Sequence, residues 1–322
     1  MQKPFPLKPS AAELLLFMTD SKPVDFPERP VRMMKSRADK AKFIEIAPGK
    51  HIEASVSMRK LEKRIVRLCA MACTDYGMIE DGDKIAVAMS GGKDSYVLLD
   101  ALLKLKARAP VHFDIVAVHV NQHIPGSPTH LLEAWLKEKG VDYHIEHQDT
   151  YSITQKLIPS GKNVCSLCAR LRRGILYRVA QELGCTKIAL GHQMDDVVST
   201  LLLNMFYGGR IKAMPPILRS DDGRNTVIRP LIYLRESEMR RWAEICGYPL
   251  FPKDLCGVGE NLKRKEIKAL MAQWDKEFDS RIYNLFMSTT RVAASQLADK
   301  TLYDFAHFRR IADTDNDSDV EF

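Results

Sequence analysis

A glycine turn between an apolar run and a helical run constrains the fold of this chain more than any other feature. The turn consists of Ser90, Gly91, Gly92, Lys93, Asp94 and Ser95. The apolar run KIAVAM precedes it and YVLLDALL follows it, so the order predicts a strand, a turn and a helix start. Consecutive glycines let backbone N–H groups approach a ligand, and the helix adds a positive dipole end. The turn therefore predicts a phosphate or pyrophosphate site.

This turn differs from the two common nucleotide-binding loops. A Walker loop has four residues between a first glycine and the Gly-Lys pair, and no glycine stands at that distance before Gly92. The sequence also has no GxGxxG motif, which argues against a dinucleotide. An ordinary βα turn of small residues is the simpler alternative, and six specified positions in a strand-to-helix context argue against it.

The flanking sequence predicts an α/β protein with a Rossmann-like parallel sheet and helices on both faces, because strand and helix patterns alternate. The predicted strands are 84–89, 113–120, 143–146, 187–190 and 226–228. The predicted helices of this part begin with one from Ser57 and continue with 94–106, 129–139, 167–183 and 195–206. Beyond residue 235 we expect only helices, at 236–246, 261–275 and 282–296.

Four regions are predicted along the chain. Residues 1–56 are proline-rich and form a largely irregular extension, with one short helix near 11–18. The α/β domain with its leading helix spans 57–235, and a helical C-terminal region spans 236–310. Residues 311–322 hold five acids and no base, which is typical of a disordered acidic tail.

A second polar motif, GHQMDD at 191–196, directly follows the predicted strand 187–190. In a doubly wound sheet, ligands bind at the carboxyl ends of the strands, where the glycine turn also lies. Asp195 and Asp196 are therefore candidates to hold Mg²⁺ on the phosphates or to orient the nucleotide. The alternative is that the two carboxylates only cap and stabilise their own helix.

Seven cysteines occur, and a disulfide framework is not expected in a reducing cytoplasm. Cys165 and Cys168 form a CxxC at a predicted helix start, followed by several arginines that favour thiolates. Cys256, beside a glycine in a loop, is the best third ligand, and Cys246 is the reserve. The remaining three are expected to be small core residues: Cys69, Cys73 and Cys185.

Three candidate thiolates suit an iron–sulfur cluster with one open iron, since a complete shell would take four. Tetrahedral zinc would need a fourth ligand such as a second CxxC, and the sequence contains none. A thioredoxin-like redox CxxC without metal stays open as an alternative, although this CxxC does not follow the first strand.

The charge of the chain permits a polyanionic partner. Its formal net charge is +7 despite the acidic C-terminus. The chain without residues 311–322 therefore carries a larger positive charge than the whole chain. The residues predicted to contact RNA are Arg170, Arg172, Arg173, Arg178, Arg210 and Lys212. A solvated basic helix and loop is the simpler interpretation of the same residues.

Four blocks of sequence give a family resemblance: SGGKDSYVLL, CSLCARLRRGILY, ALGHQMDD and LLLNMFYGGRIKAMPPILRSDDGRNTVIRPL. Together they resemble the TtcA family of tRNA 2-thiocytidine synthetases, within the PP-loop ATP pyrophosphatases, over about residues 57–305. The resemblance implies an enzyme that thiolates C2 of the cytidine at position 32 of the tRNA anticodon loop. It also implies ATP with Mg²⁺, and three cysteines holding a [4Fe-4S] cluster whose free iron can carry sulfur.

Carried over to this sequence, the resemblance assigns residues 90–95 to ATP, with Lys93 as a catalytic group. Asp195, with its neighbour Asp196, becomes the catalytic acidic group near ATP, and Cys165, Cys168 and Cys256 become the cluster ligands. The family's last cysteine often belongs to a second CxxC, but here Lys253 stands at the first position of that motif, so Cys256 must serve alone.

Other functions remain as alternatives. A lysidine synthetase, or a 2-thiouridine or ribothymidine thiolase, would use the same loop on another substrate. The CxxC argues against lysidine synthesis, and the lack of terminal zinc-binding CxxC pairs argues against the ribothymidine type. A non-catalytic iron–sulfur redox sensor that binds RNA is the alternative from a different class.

Short apolar runs and an N-terminus without a signal peptide predict no membrane segment and a cytoplasmic protein. A cysteine desulfurase or another sulfur donor is the expected protein partner, and a homodimer is kept open.

Overall fold

A six-stranded sheet organises the computed structural model, which describes residues 43–47, 50–157, 165–220, 222–252, 255, 262–278 and 280–306. The strands are β1 Phe43–Ala47, β2 Lys50–Glu53, β3 Asp83–Ala88, β4 Phe113–Asn121, β5 Tyr143–His147, β6 Lys187–Ala189, β7 Ile217–Arg219 and β8 Thr226–Ile228. The helices are α1 Val56–Asp75, α2 Lys93–Lys106, α3 Thr129–Lys139, α4 Thr150–Leu157, α5 Cys165–Glu182, α6 Met194–Gly208, α7 Glu236–Cys246, α8 Leu262–Glu277 and α9 Arg281–Ser288. A 3₁₀ turn spans Ala294–Gln296.

The order of the sheet is β5-β4-β3-β6-β8-β7, with only β7 antiparallel to its neighbour. The chain leaves β3 toward β4 and β5, and later returns to place β6 on the other side of β3. The order therefore reverses between β3 and β6, and such a switch point is where open α/β sheets bind ligands. Both polar motifs follow these two neighbouring strands.

Alternation along the strands explains why helices cover both faces. Ile85 and Val87 of β3 belong to the larger core, while Ala86 between them belongs to a second, smaller core. Because successive strand residues point to opposite faces, apolar residues at every position require cover on both sides. Helix α5 covers the smaller core with Ile175 and Val179.

The predicted parallel sheet with helices on both faces is confirmed. No sequence pattern predicted α4 or β7. The predicted helix at 282–296 is wrong, because α9 ends at Ser288. The hydroxyl groups of Thr289 and Thr290 bond back to the carbonyls of Phe286 and Met287, and such bonds compete with the helix.

The N-terminal extension contains an element that the sequence did not predict. Strands β1 and β2 pair as an antiparallel hairpin, and Ile44 is only 3% exposed within the larger core. The short helix proposed for 11–18 and the acidic tail 311–322 lie outside the described residues, so both stay predictions. The division of the chain into four regions also stays a prediction. Within the described ranges, no helix has the length and apolar character needed to cross a membrane.

Candidate active site

The glycine turn joins β3 to α2 as predicted. Gly92 is the N-cap of α2, and Lys93 begins the helix. The Ser95 hydroxyl donates to the Gly92 carbonyl at 2.8 Å, and the Ser90 hydroxyl accepts the Gly92 N–H at 3.3 Å. The Ser95 N–H donates to the Gly92 carbonyl at 3.1 Å. Because Gly92 has no side chain to cap the helix, the N–H groups of Lys93 and Asp94 can bind an anion.

Gly91 allows the turn to pass under the ring of Phe251. Its φ is +78°, and a methyl group there would lie 2.3 Å from the Phe251 ring, so two independent restraints require glycine. The Phe251 N–H also donates to the Gly91 carbonyl at 2.9 Å. Phe251, five residues before Cys256 in the sequence, is thus hydrogen-bonded to the glycine turn at residues 90–95, the phosphate turn of this site.

Gly191 brings the second loop against the first. A methyl group on Gly191 would lie 3.0 Å from the backbone carbon and oxygen of Asp94. The two predicted motifs are therefore in contact through their backbones, at the carboxyl ends of β3 and β6.

Lys93 is held between two carboxylates. Its Nζ lies 3.1 Å from Asp94 and 3.2 Å from Glu236, the first residue of α7. Burial lowers the pKa of Lys93, but the two carboxylates outweigh it and the net shift is upward. Lys93 is therefore a firmly charged group, and it would exchange these partners for phosphate oxygens.

The two aspartates of the second motif have different environments. Asp195 forms a two-oxygen pair with Arg235 at 3.0 to 3.3 Å and accepts the Glu236 N–H at 2.8 Å. Its carboxylate thus joins the start of α6 to the start of α7. Asp196 instead lines the cleft while accepting the Gln193 N–H at 3.2 Å.

Asp196 is therefore the better placed of the two to act on a ligand. Burial raises the pKa of Asp196 to about 6, and the nearby Asp94 carboxylate adds to the shift. Burial also raises the pKa of Asp94. Two carboxylates that resist ionisation together suit a divalent cation, because its charge would relieve their repulsion.

A cleft of about 690 Å³ lies in front of both loops. Its walls include Ser90, Asp94, Ser95, His119, Gln122, Ala169, Arg172, Arg173, His192, Asp196, Met214, Phe251, Leu255 and Arg264. The cleft is thus bounded by the phosphate turn, by the acidic motif at residues 191–196 and by α5, the helix that carries the CxxC.

Two histidines in this wall are held neutral. His119 Nδ1 contacts the Met89 carbonyl at 2.8 Å, so this nitrogen carries the proton. Burial lowers the pKa of His119. Burial also lowers the pKa of His192 to about 4, with help from the positive charges of Arg229 and Arg264.

The CxxC lies at the start of α5, beside the cleft. Cys168 is partly buried, and its Sγ accepts a hydrogen bond from Gln122 Nε2 at 3.2 Å. Cys165 begins the same helix three positions earlier. Cys256 lies outside the described residues, but Leu255 directly before it lines the cleft.

The other cysteines have different positions. Cys69 and Cys73 are buried in the larger core, as predicted. Burial raises the pKa of the Cys246 thiol to about 11, beside Tyr248 and Asp100, which favours a structural role. Cys185 is only partly buried and packs against the smaller core.

Neither proposed metal site is a complete ligand set within the described part of the chain. No three His, Cys, Asp or Glu side chains there form a metal-ligating group. The Cys165 side chain and Cys256 lie outside that part. Mg²⁺ needs only one or two carboxylates when phosphates supply the remaining oxygens, so Asp196 and Asp94 fit it.

The predicted RNA-contacting residues separate into groups. Arg172 and Arg173 line the cleft, and Arg170 is exposed on the same helix. Arg178, further along, pairs with Glu146 and Glu182. The two others, Arg210 and Lys212, are exposed in the loop whose Met214 lines the cleft.

Sequence reasoning missed several residues of this wall. Arg264 of α8 lines the cleft, and Glu236 at the start of α7 pairs with Lys93 of the glycine turn. No motif marked either residue. Gln122 and His119 follow the apolar pattern of β4, where the signal was a polar residue at the carboxyl end of a buried strand.

Comparison with known proteins agrees with this geometry. The model of the PP-loop domain family matches residues 58–272. A tRNA-cytidine(32) 2-sulfurtransferase of Burkholderia cenocepacia is 57% identical over 263 residues, which cover 82% of this chain and 80% of that protein. The chain belongs to the tRNA-cytidine(32) 2-sulfurtransferase family of PP-loop proteins. Its Paracidovorax citrulli relative is 55% identical, over 82% of this chain and 85% of its own length.

A solved structure supports the fold of this family member. The U34-tRNA thiolase NcsA from Methanococcus maripaludis, with its [4Fe-4S] cluster, superposes with a TM-score of 0.60 at 25% identity. The match covers 73% of this chain and 79% of NcsA. The PP-loop fold is thus shared with a tRNA thiolase that carries an iron–sulfur cluster.

Proposed function

We propose that this chain is an ATP-dependent tRNA sulfurtransferase that converts cytidine 32 of the anticodon loop to 2-thiocytidine. The observation that carries the proposal is the single cleft bounded by the phosphate turn, the acidic motif and the CxxC helix. The relatives named for cytidine 32 are 55% to 57% identical, whereas the U34 thiolase is 25% identical. The cytidine substrate is therefore favoured over uridine.

In this proposal, ATP places its phosphates on the turn at residues 90–95. The N–H groups at the start of α2 bind the phosphate oxygens, and Lys93 leaves Glu236 to neutralise charge that develops on the pyrophosphate. Asp196 and Asp94 would hold Mg²⁺, which when bound would supply further positive charge to the phosphates. Asp195, which the sequence analysis had placed near ATP as a catalytic group, positions α6 against α7 through Arg235.

The chemistry follows from the leaving group. The O2 atom of cytosine attacks the α-phosphorus of ATP, a P–O bond forms, and pyrophosphate departs into the turn. Sulfur at the sulfide level then attacks C2, a C–S bond forms, and AMP leaves with the former base oxygen. Lys93 and the N–H groups of the turn stabilise the departing charge.

Cys165, Cys168 and Cys256 would hold a [4Fe-4S] cluster, which when bound would supply an open iron site for inorganic sulfur. The donor set fits the group, since Cys168 lies at a helix start near Arg172 and accepts an N–H bond. Leu255, which directly precedes Cys256 in the sequence, lines the cleft.

The basic residues at the cleft bind the phosphates of the tRNA. These are Arg170, Arg172 and Arg173 on α5, with Arg210 and Lys212 in the loop beyond α6. A cysteine desulfurase or another sulfur donor supplies the sulfur, and the cytoplasm is the compartment that keeps the thiols reduced. A homodimer stays a prediction.

The deciding experiment measures 2-thiocytidine in tRNA. Nucleosides from cells lacking the gene are analysed by mass spectrometry, with and without plasmid copies of the wild type, Cys168→Ser and Cys246→Ser. We expect the deletion to lose 2-thiocytidine, and the wild type and Cys246→Ser to restore it. Cys168→Ser is expected to restore neither 2-thiocytidine nor protein-bound iron.

Three results would contradict the proposal. Unchanged 2-thiocytidine in the deletion strain would remove the substrate assignment. A colourless, iron-free protein after anaerobic purification would remove the cluster. If the chain were only a redox sensor, purified protein with ATP, Mg²⁺ and sulfide would form no 2-thiocytidine in tRNA.

A further inference from the structure

Gln122 lies between the end of β4 and the CxxC helix. Its side chain is buried, with 7% of the residue exposed, and it forms part of the cleft wall. Its Nε2 donates to the Thr150 hydroxyl at 2.7 Å and to Cys168 Sγ at 3.2 Å. The two hydrogens of the amide therefore have two acceptors.

The backbone around Gln122 fixes the position of this amide. The Tyr151 N–H donates to the Gln122 carbonyl at 3.2 Å, which attaches the start of α4 to the end of β4. Thr150 is 1% exposed, so water does not compete for its contact with the amide. A hydrogen bond in such surroundings is stronger than one at the surface.

We propose that Gln122 is a positioning residue that donates an N–H···S hydrogen bond to Cys168 and thereby raises the reduction potential of the iron–sulfur cluster. The inference rests on the proposed function, because it requires Cys168 to be a cluster ligand. Hydrogen bonds to cluster sulfurs are among the factors that set these potentials.

The orientation of the amide follows from the chemistry of the sulfur. A metal-bound cysteine is a thiolate, which accepts hydrogen bonds and donates none. The amide oxygen of Gln122 would repel it, whereas Nε2 attracts it. The Thr150 hydroxyl accepts the second amide hydrogen and so holds Nε2 toward Cys168.

The redox consequence has a definite sign. Addition of one electron places more negative charge on the cluster and its sulfurs, and a nearby N–H stabilises this reduced state more than the oxidised state. Removal of the donor must therefore make the potential more negative. Loss of one such bond should change the reduction equilibrium about tenfold, which is about 59 mV for one electron.

The test is a redox titration of the anaerobically reconstituted holoprotein, followed by electron paramagnetic resonance. Gln122→Met keeps the length of the side chain and removes the donor. We therefore expect a more negative midpoint potential, which corresponds to a reduction equilibrium constant about tenfold lower than that of the wild type. Gln148→Met is the matched control, since Gln148 is exposed and contacts Arg178 instead. We expect it to titrate like the wild type.

A second variant at the same position keeps the inference testable if Gln122→Met does not fold. Gln122→Glu keeps the shape of the side chain but faces the sulfur with a carboxylate oxygen. We expect a larger negative shift and faster loss of iron to a chelator. Thermal unfolding of the apo forms shows whether each variant is folded.

The outcomes separate the two claims. If the wild type binds no iron, the cluster of the proposed function fails and this inference fails with it. If the wild type holds its cluster and either folded variant titrates like the wild type, the role of Gln122 is refuted while the proposed function stands.

Discussion

A methyl group on Gly191 would lie 3.0 Å from the backbone of Asp94, which is closer than the optimal separation of packed carbon atoms and requires the backbone to shift. At the scale of the residue, Gly191→Ala must therefore push the acidic loop away from the phosphate turn. We expect ATP affinity, measured by titration calorimetry, to fall at least tenfold. The unfolding free energy should fall by about 1–3 kcal/mol.

Gly174→Ala is the control for this substitution. Gly174 lies inside α5, and a methyl group there would have no neighbour within 4 Å. Alanine in a helix interior is more stable than glycine by about 0.5–1 kcal/mol. Gly174→Ala should thus raise the melting temperature and leave ATP affinity unchanged, and equal loss of affinity in both variants would contradict the close-contact argument.

His192 supplies a prediction about pH. Burial and the charges of Arg229 and Arg264 lower the pKa of His192 to about 4 in the folded protein, against about 6.5 in an unfolded chain. The unfolded state therefore binds a proton that the folded state rejects. The stability from this group is present above pH 6.5 and is lost as the pH falls toward 4.

We expect urea unfolding to show this loss as about 2 kcal/mol between pH 6.5 and 4, in excess of the loss in His192→Asn. His130→Asn, which alters an exposed histidine of α3, should retain the full loss seen in the wild type. Parallel pH profiles for the wild type and His192→Asn would show that His192 is not held neutral.

At the scale of the element, the starts of α6 and α7 are joined by Asp195 and Arg235. Asp195→Asn leaves Arg235 with Asp275 alone and should reduce the unfolding free energy by about 1–3 kcal/mol. Asp196→Asn removes a carboxylate whose pKa burial raises to about 6. Its ionised form is unfavourable at pH 7.5, so this variant should be at least as stable as the wild type.

Activity should respond in the opposite order. We expect Asp196→Asn to lose at least tenfold in the rate of pyrophosphate release from ATP, while Asp195→Asn keeps most of that rate below its melting temperature. Thermal unfolding and a pyrophosphate assay measure the two effects separately. If Asp195→Asn is stable but inactive, Asp195 acts on ATP as the sequence analysis first suggested.

The elements also show what the sequence could and could not predict. Strand β3 and helix α2 were predicted to within one residue at most ends, because an apolar run and a glycine turn are local signals. The contact of Gly191 with Asp94 followed from the parallel order of the sheet. Arg264 reaches the cleft, and Glu236 reaches Lys93, only through tertiary packing of α8 and α7, which no local pattern encodes.

The hairpin β1–β2 was missed for a related reason. Its two short strands carry Phe43, Ile44 and Ile46 within a basic, proline-rich region, and strands of four or five residues give a weak signal. Burial of Ile44 in the larger core stabilises the pair, and that contact is distant in sequence. The choice between Asp195 and Asp196 likewise depended on Arg235, forty residues away.

At the scale of the whole molecule, the positive charge is placed unevenly around the cleft. Arg172, Arg173 and Arg264 line its wall, whereas Arg178 on the same helix as the first two is neutralised by Glu146 and Glu182. A net charge of +7 alone would attract any polyanion. The position of each arginine decides whether it replaces a counterion of the tRNA.

The salt dependence of tRNA affinity can distinguish arginines that contact phosphates from arginines that do not, because each phosphate contact releases a counterion. Each phosphate contact adds about 0.7 to 1 to the slope of log affinity against log salt concentration. Arg172→Gln should therefore reduce the slope for tRNA by about that amount, whereas Arg178→Gln should leave it unchanged, because its charge already has two partners. Fluorescence anisotropy with labelled tRNA between 50 and 200 mM salt, about the range where the effect is large, gives both slopes. Equal reductions would mean that Arg178 leaves its carboxylates to bind RNA, and that α5 contacts the tRNA along its full length rather than only at the cleft.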